Sequence, residues 1–341
     1  MKRLEEFIIE KLKVSKVEKI TYYPNTKQEL VDLIIKEIET KGPTCSLNHI
    51  DVSNIDDMSF LFRGGIENRY ISGHQILSKF DGDISEWDVS NVTNMRSMFS
   101  GCSYSGKNGD ISNWDVSSVT NMGGMFLNSK YNGDLSNWDV SNVTDMNSLF
   151  YNCSFTGKNG DISNWDVSNV TNMQEMFSNS RYNGDLSKWD VSNGTNMAFL
   201  FHYSVFDGTN GDISNWDVSK VDEMTGMFTE SKYNGDISNW DVSSVTSMGS
   251  MFYGSIFNGD ISNWDVSNVI TMSQMFYKSE FNGDISNWDV SSVEWFNETF
   301  RYSSFSGDIS KWKINPKAKL QMHKMFDDSP LEDTPPNWYY K

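Results

Sequence analysis

The chain has 341 residues, 38% of them hydrophobic, and a formal net charge of −18; that length would suit two or three globular domains, and that acidity excludes nucleic acid and anionic lipid as natural partners. Three cysteines, Cys45, Cys102 and Cys153, give no disulfide framework. No run approaches the ~18 apolar residues of a membrane span, and the start MKRLEEFIIEKLKVSKVEKI has no apolar core of a signal peptide, so the chain is expected in the cytoplasm at synthesis, without membrane insertion.

In chain order, residues 1–20 carry only a weak helix-or-strand pattern. Asn25 or Thr26 then caps an amphipathic helix, Lys27 to Lys41, with Leu30, Leu33, Ile34 and Ile38 as its apolar stripe and Gly42-Pro43 as its stop. Residues 1–44 read as an N-terminal helical cap, 45–315 as a repeat array and 316–341 as a C-terminal cap. The cap holds nine Lys/Arg against eight Asp/Glu, so the remainder carries −19.

The array is organised around one unit, fullest at Gly82 to Phe99 as GDISEWDVSNVTNMRSMF. Its tryptophan recurs at Trp87, Trp114, Trp138, Trp165, Trp189, Trp216, Trp240, Trp264, Trp288 and Trp312, in steps of 27, 24, 27, 24, 27, 24, 24, 24 and 24 residues. A degenerate first copy puts Ile50 in that place, which makes eleven turns. A fixed period in the twenties is the mark of a solenoid.

With Ile84 as position 1 of the unit, apolar residues stand at positions 1, 4, 6, 9, 12, 15 and 16. Trp87 and Val89 alternate with Asp88 as in a strand; Val92, Met95, Met98 and Phe99 step by three and four as in a helix, with Ser90 or Asn91 to cap it. An aromatic and an Asn-Gly-Asp turn signal close most copies. The expected fold is an α/β solenoid, a leucine-rich-repeat-like right-handed array of about eleven strand–short helix turns with terminal caps. Tryptophan, valine, methionine and phenylalanine ladders form its core.

The frame Ile-x-x-Trp-x-Val-x-x-Val and the wording GDISxWDVSxVTxMxxMF resemble the BspA-like leucine-rich-repeat proteins and the related mycoplasma-type repeat of unknown function, over roughly residues 45 to 330. The resemblance implies a curved solenoid used in adhesion or protein binding, at a cell surface or in a virion, and it carries over no catalytic residues. Such a location stands against the missing signal peptide.

Departures from the period mark places of interest. The step from Ile50 to Trp87 is 37 residues, so Arg63 to Lys79 contains an insertion, either a functional loop or a tolerated one. Three extra residues lengthen the turns at 104–110, 155–161 and 206–212, which predicts protruding loops on every second turn along one edge. Decay begins at Lys313 and Phe296, Pro316 opens a last helix to Phe326, and the tail through Trp338 is expected to lie over the last tryptophan layer.

The strongest chemical feature is a pair of aspartate ladders, one from Asp88 to Asp289 at position 5, the other from Asp83 to Asp308 beside the glycine turns. Stacked ~5 Å apart, neighbouring carboxylates would repel by up to about 3 kcal/mol at an effective dielectric near 20. Hydrogen bonds within the turns relieve this on the first reading; Ca²⁺ between turns is the alternative, although the spacing fits no known Ca²⁺ loop. No metal cluster, nucleophile–base pair or phosphate loop is present, so no cofactor and no catalytic residue is expected. The candidate binding surface is the acidic strand face, Asp115, Asp139, Asp166, Asp190, Asp217, Asp241 and Asp265 with Asn137, Asn164, Asn215 and Asn239. A protein or a glycan would be its partner, with a place in a larger assembly, repeat number setting length, as the alternative.

Overall fold

The computed structural model describes residues 19–64 and 74–339. Residues 1–18 of the pattern expected over 1–20, and residues 65–73 of the insertion expected within Arg63 to Lys79, lie outside the described residues. Helix α1, Lys27–Lys41, stands where its stripe and caps place it. Thr26 accepts the Glu29 amide at 3.2 Å, and the Glu29 carboxylate takes the Asn25 amide at 2.7 Å, so both ends of the first turn are satisfied. Leu30, Val31, Ile34 and Ile38 are buried against the first repeat. A single short turn of helix, α2 (His74–Leu77), lies within the Arg63–Lys79 segment.

The repeating unit is built differently from the expected strand and short helix. It is a chain of four-residue turns. Amide-to-carbonyl bonds close Ile84–Trp87, Val89–Val92, Met95–Met98, Ser97–Ser100 and Phe99–Cys102, at 2.9–3.2 Å. Of the apolar pairs separated by three, Ile84–Trp87, Val89–Val92, Met95–Met98 and Phe99–Cys102 stand at the two ends of one turn with both side chains buried, whereas Met95, three after Val92, sends its amide to the next unit. That spacing also belongs to a helix, which is why Val92, Met95, Met98 and Phe99 imitate one. The Ser90 amide goes to Asp88 and the Asn91 side chain to the Ser53 carbonyl of the preceding unit, so neither caps a helix.

Hydrogen bonds between units occupy the stretch expected to be helical. The amides of Met95, Ser97, Phe99 and Gly101, positions 12, 14, 16 and 18, donate to Asn121, Gly123, Met125 and Leu127 in the next unit at 2.7–2.9 Å. Nine parallel bridges at position 11 join Asp57, Asn94, Asn121, Asp145 and so on to Trp295, and the Phe296 amide extends the series to Gln321. At Trp87–Val89 and its copies the described residues form a bridge in the first unit alone, where Ile50 pairs with Tyr22 ahead of the array. Alternate amides can face the neighbouring unit because the backbone turns left-handed at position 14 (Ser97 φ 54°, Glu175 57°, Phe199 56°) and again at 18 (Asn128 55°, Tyr203 51°, Tyr302 59°). Non-glycine residues hold this conformation at a cost of ~1–2 kcal/mol each, offset by the inter-unit bonds.

Behind these rungs lies one continuous core. Phenylalanines at position 16 stack from Phe62 to Phe326 with ring centroids 5.5–6.0 Å apart, an offset arrangement that adds to area burial. Each position-4 tryptophan is buried and donates its indole N–H to the position-1 carbonyl of the preceding unit: Trp114 to Ile84 at 3.1 Å, Trp138 to Ile111 at 2.9 Å, Trp165 to Leu135 at 3.0 Å. At the far end Pro316–Leu320 is one turn of 3-10 helix, shorter than the helix expected to Phe326, because Met322 onward enters another rung. Trp338 stacks on Trp312 at 6.1 Å and donates to the Ile309 carbonyl at 2.9 Å, repeating the tryptophan contact from the tail.

Candidate functional site

The unit's wording Asp-Ile-Ser and Asp-Val-Ser carries one local device twice. In each, the carboxylate accepts the backbone amide of the serine two residues on. At position 5, Asp115, Asp139, Asp166, Asp190, Asp217, Asp241 and Asp265 take Ser117, Ser141, Ser168, Ser192, Ser219, Ser243 and Ser267 at 3.0–3.1 Å. The hydroxyls of Ser117, Ser168 and Ser243 add bonds of 2.6 Å. Serine side-chain bonds, then the amides, hold Asp139, Asp190, Asp217 and Asp265 below the usual carboxylate range. The ladder beside the glycine turns does the same, with Asp134, Asp161 and Asp185 binding Ser136, Ser163 and Ser187 at 2.8–2.9 Å.

A third copy of this device went unread in the sequence. Asn94, Asn121, Asp145, Asn172 and Asn196, the position-11 residues of the rungs, accept the amide two residues on at 2.9–3.2 Å. The signal was available: an Asx residue stands at the same register in six successive units, Asp57 through Asn196.

All eleven candidate residues are exposed and share one face of the stack. The face is not a β-sheet, because the ladder lies at positions 11 to 18; each aspartate instead links two turns. The amides of Asn137, Asn164, Asn215 and Asn239 make no hydrogen bond among the described residues, unlike Asn142, Asn169 and Asn193 five places further on. Those donate to Ser117, Ser141 and Ser168 carbonyls of the preceding unit at 2.8 Å. The side-chain nitrogens of Asn91, Asn142 and Asn169 are therefore engaged as donors that hold units together. At its C-terminal end the acidic face changes sign: a cleft of about 390 Å³ is lined by Asn287, Asp289, Lys311 and Lys313.

The lengthened turns shape a second surface. Between the loops at 155–161 and 206–212 the short turn at 182–185 is recessed, leaving a groove of about 550 Å³ lined by Lys158, Asp161, Arg181, Asn183, Asp185 and Asn210. Asn159 and Asn210 reach back to the Asn132 and Asn183 carbonyls at 2.5 Å and fix the loops to the body. In the Asn-Gly-Asp signal the glycine is required by crowding: a Cβ on Gly133 would lie 2.5 Å from the Tyr131 hydroxyl, and one on Gly160 1.7 Å from the Asp134 carboxylate.

Among the described residues no group of three or more His, Cys, Asp or Glu is arranged to hold a metal ion, and no helix is long and apolar enough to cross a membrane. Cys102 and Cys153 are free and buried, and burial pushes both thiols up to about 12, so they pack as small apolar residues. No curated protein and no solved structure matches the chain. A family model described as Mycoplasma protein of unknown function, DUF285, matches residues 35–158, 153–256 and 231–338 in three overlapping segments. Together these cover most of the chain, and the chain belongs to that family of repeat proteins.

Proposed function

We propose that the units stack as a right-handed, leucine-rich-repeat-like solenoid, close in kind to the BspA-like proteins, and that the chain is a non-enzymatic scaffold binding a protein or glycan partner. The acidic face is the surface we assign to that partner. The observation that carries the reading is the free amide column, Asn137, Asn164, Asn215 and Asn239, exposed beside aspartates whose own turns fix them in place. Such a face offers both donors and acceptors at a regular spacing, and its negative charge attracts basic groups.

The test is a binding screen of the immobilised chain against basic proteins and neutral glycans, repeated with Asn137, Asn164, Asn215 and Asn239 changed together to Ala. These amides make no internal bond, so the variant should melt like the parent. A ligand that binds the parent and loses at least tenfold on the variant supports the face. Undiminished binding moves the site elsewhere, first to the groove at 182–185.

A further inference from the structure

The lengthened turns carry one polar set twice. In the groove at 182–185, Lys158 and Arg181 stand with Asp161 and Asp185. The same types recur 51 residues earlier as Lys107 and Lys130 with Asp110 and Asp134, around the short turn at 131–134 between the loops at 104–110 and 155–161. A third repetition fails, because Thr209 takes the place of the loop lysine. Four of the nine Lys and Arg between Phe80 and Phe300 are gathered in these two places, within a chain of net charge −18.

The internal hydrogen bonds leave these charged ends available. All four cations are exposed, and among the described residues none of their side chains makes an ion pair or a hydrogen bond. Asp161 accepts the Ser163 amide and hydroxyl at 2.9 and 2.8 Å and the Tyr182 hydroxyl at 3.5 Å, and Asp185 accepts the Ser187 amide at 2.8 Å. Each carboxylate therefore keeps at least one lone pair. The walls are held in advance: the Thr156 amide donates to the Asn132 side chain at 2.9 Å, and the Asp207 amide to the Asn183 side chain at 3.1 Å, so binding pays little for ordering them. The lining holds no aliphatic side chain, and its two cations balance its two carboxylates. That inventory fits a polar ligand with an anionic group for the cations and hydroxyl donors for the carboxylates.

We propose that these two places bind consecutive segments of a linear polysaccharide carrying a carboxylate on alternate sugars. In the groove at 182–185 the carboxylate would meet Arg181, whose planar fork takes it bidentately, with Lys158 on its other side, and ring hydroxyls would donate to Asp161 and Asp185. The two places are two units apart, roughly 10 Å along the stack. That is about the length of two sugar residues in an extended chain, so one carboxylate falls to each. A densely sulfated chain fits poorly, because its further charges would face the aspartates and the acidity of the whole chain repels it. A basic peptide would bring its cations against Lys158 and Arg181. The site is separate from the acidic face and does not rest on its role.

The test is calorimetric titration of the full chain with octasaccharides of hyaluronan and of unsulfated chondroitin, both with a uronate at alternate sugars. Their carboxyl-reduced forms and a heparin octasaccharide serve as comparisons. At least one uronate octasaccharide should bind, and its affinity should fall at least tenfold on carboxyl reduction. It should also fall at least tenfold with Lys130→Ala and Arg181→Ala combined, with an unchanged melt, since neither side chain has an internal partner. The variant with Asn137, Asn164, Asn215 and Asn239 changed to Ala should bind it as the parent does, which separates this site from the acidic face. Four results overturn the proposal: no binding of either uronate chain, equal binding after carboxyl reduction, undiminished binding by the Lys130 and Arg181 variant, or tighter binding of heparin.

Discussion

Gly194 replaces the valine that fills position 9 in Val92, Val119, Val143, Val170, Val221, Val245, Val269 and Val293, all fully buried. Its backbone makes the same turn, amide to the Val191 carbonyl at 2.8 Å against 2.9 Å for Val92 to Val89, and its φ lies outside the left-handed region. Valine therefore suits the backbone. An added Cβ would stand 3.0 Å from the Met197 methyl, the flexible end of a side chain, and 3.0 Å from the Val191 oxygen. Burying the valine contributes roughly 1.5–3 kcal/mol, and removing glycine's freedom in the unfolded chain about 0.4–1 kcal/mol. Moving Met197 costs about 1–3 kcal/mol. Gly194→Val should thus stabilise by about 1 kcal/mol, read as a higher urea midpoint at unchanged slope, with Gly194→Ala showing the glycine contribution alone. A lower midpoint for the valine variant would mean that Met197 already fills the space, and the packing argument would fail.

Trp165→Phe removes the indole donor from the Leu135 carbonyl, which keeps the Trp138 amide at 3.2 Å, and leaves space where the larger ring lay; a loss of about 1–2 kcal/mol is expected in the same titration, and a loss under about 0.5 kcal/mol would deny the tryptophan bonds their linking role. Gly133→Ala drives a Cβ onto the Tyr131 ring and should cost about 1–3 kcal/mol, whereas a turn-only role for that glycine predicts a near-neutral change. The pH dependence has two flanks. Asp139, Asp190, Asp217, Asp265 and Asp289 have lowered folded values, so their contribution is present above the unfolded value near ~3.9 and lost as pH falls through the lower folded values. Burial raises the Tyr104, Tyr131, Tyr182 and Tyr233 hydroxyls, so theirs is present below ~10 and lost as pH rises beyond it; melts from pH 2 to 12 should show a plateau between these flanks.

Much of this was legible in the residues. The period, the bounds of α1 and the buried tryptophan column follow from spacing and caps, because apolar side chains at fixed intervals must share one interior. The internal hydrogen bonding of Asp83 and Asp88 follows from the chemistry of Asp two places before Ser. The backbone path did not follow. Turn corners and helix faces share the step of three, so Met95 and Met98 do not distinguish them. The left-handed positions, which do, are filled by Ser97, Glu175, Phe199 and Tyr203, residues with no preference for that conformation. Stacking on the next unit imposes it, and a contact 24 to 27 residues away leaves no local mark. The residues of the candidate face are exposed, yet they stand on linked turns in place of strands, for the same reason.

Both aspartate columns are engaged with the amides of their own turns, and the account holds that they need no ion to coexist. The direct test is thermal unfolding in chelator against millimolar Ca²⁺, with Na⁺ matching ionic strength. Each carboxylate already accepts one or two hydrogen bonds, and among the described residues no group of three or more His, Cys, Asp or Glu is arranged for a metal ion, whereas Ca²⁺ requires six to eight oxygens, so the two melts should agree apart from ordinary screening. Ions seated between turns would stabilise by mass action at several sites at once; a rise of more than a few degrees in Ca²⁺ that Mg²⁺ does not reproduce would contradict the account.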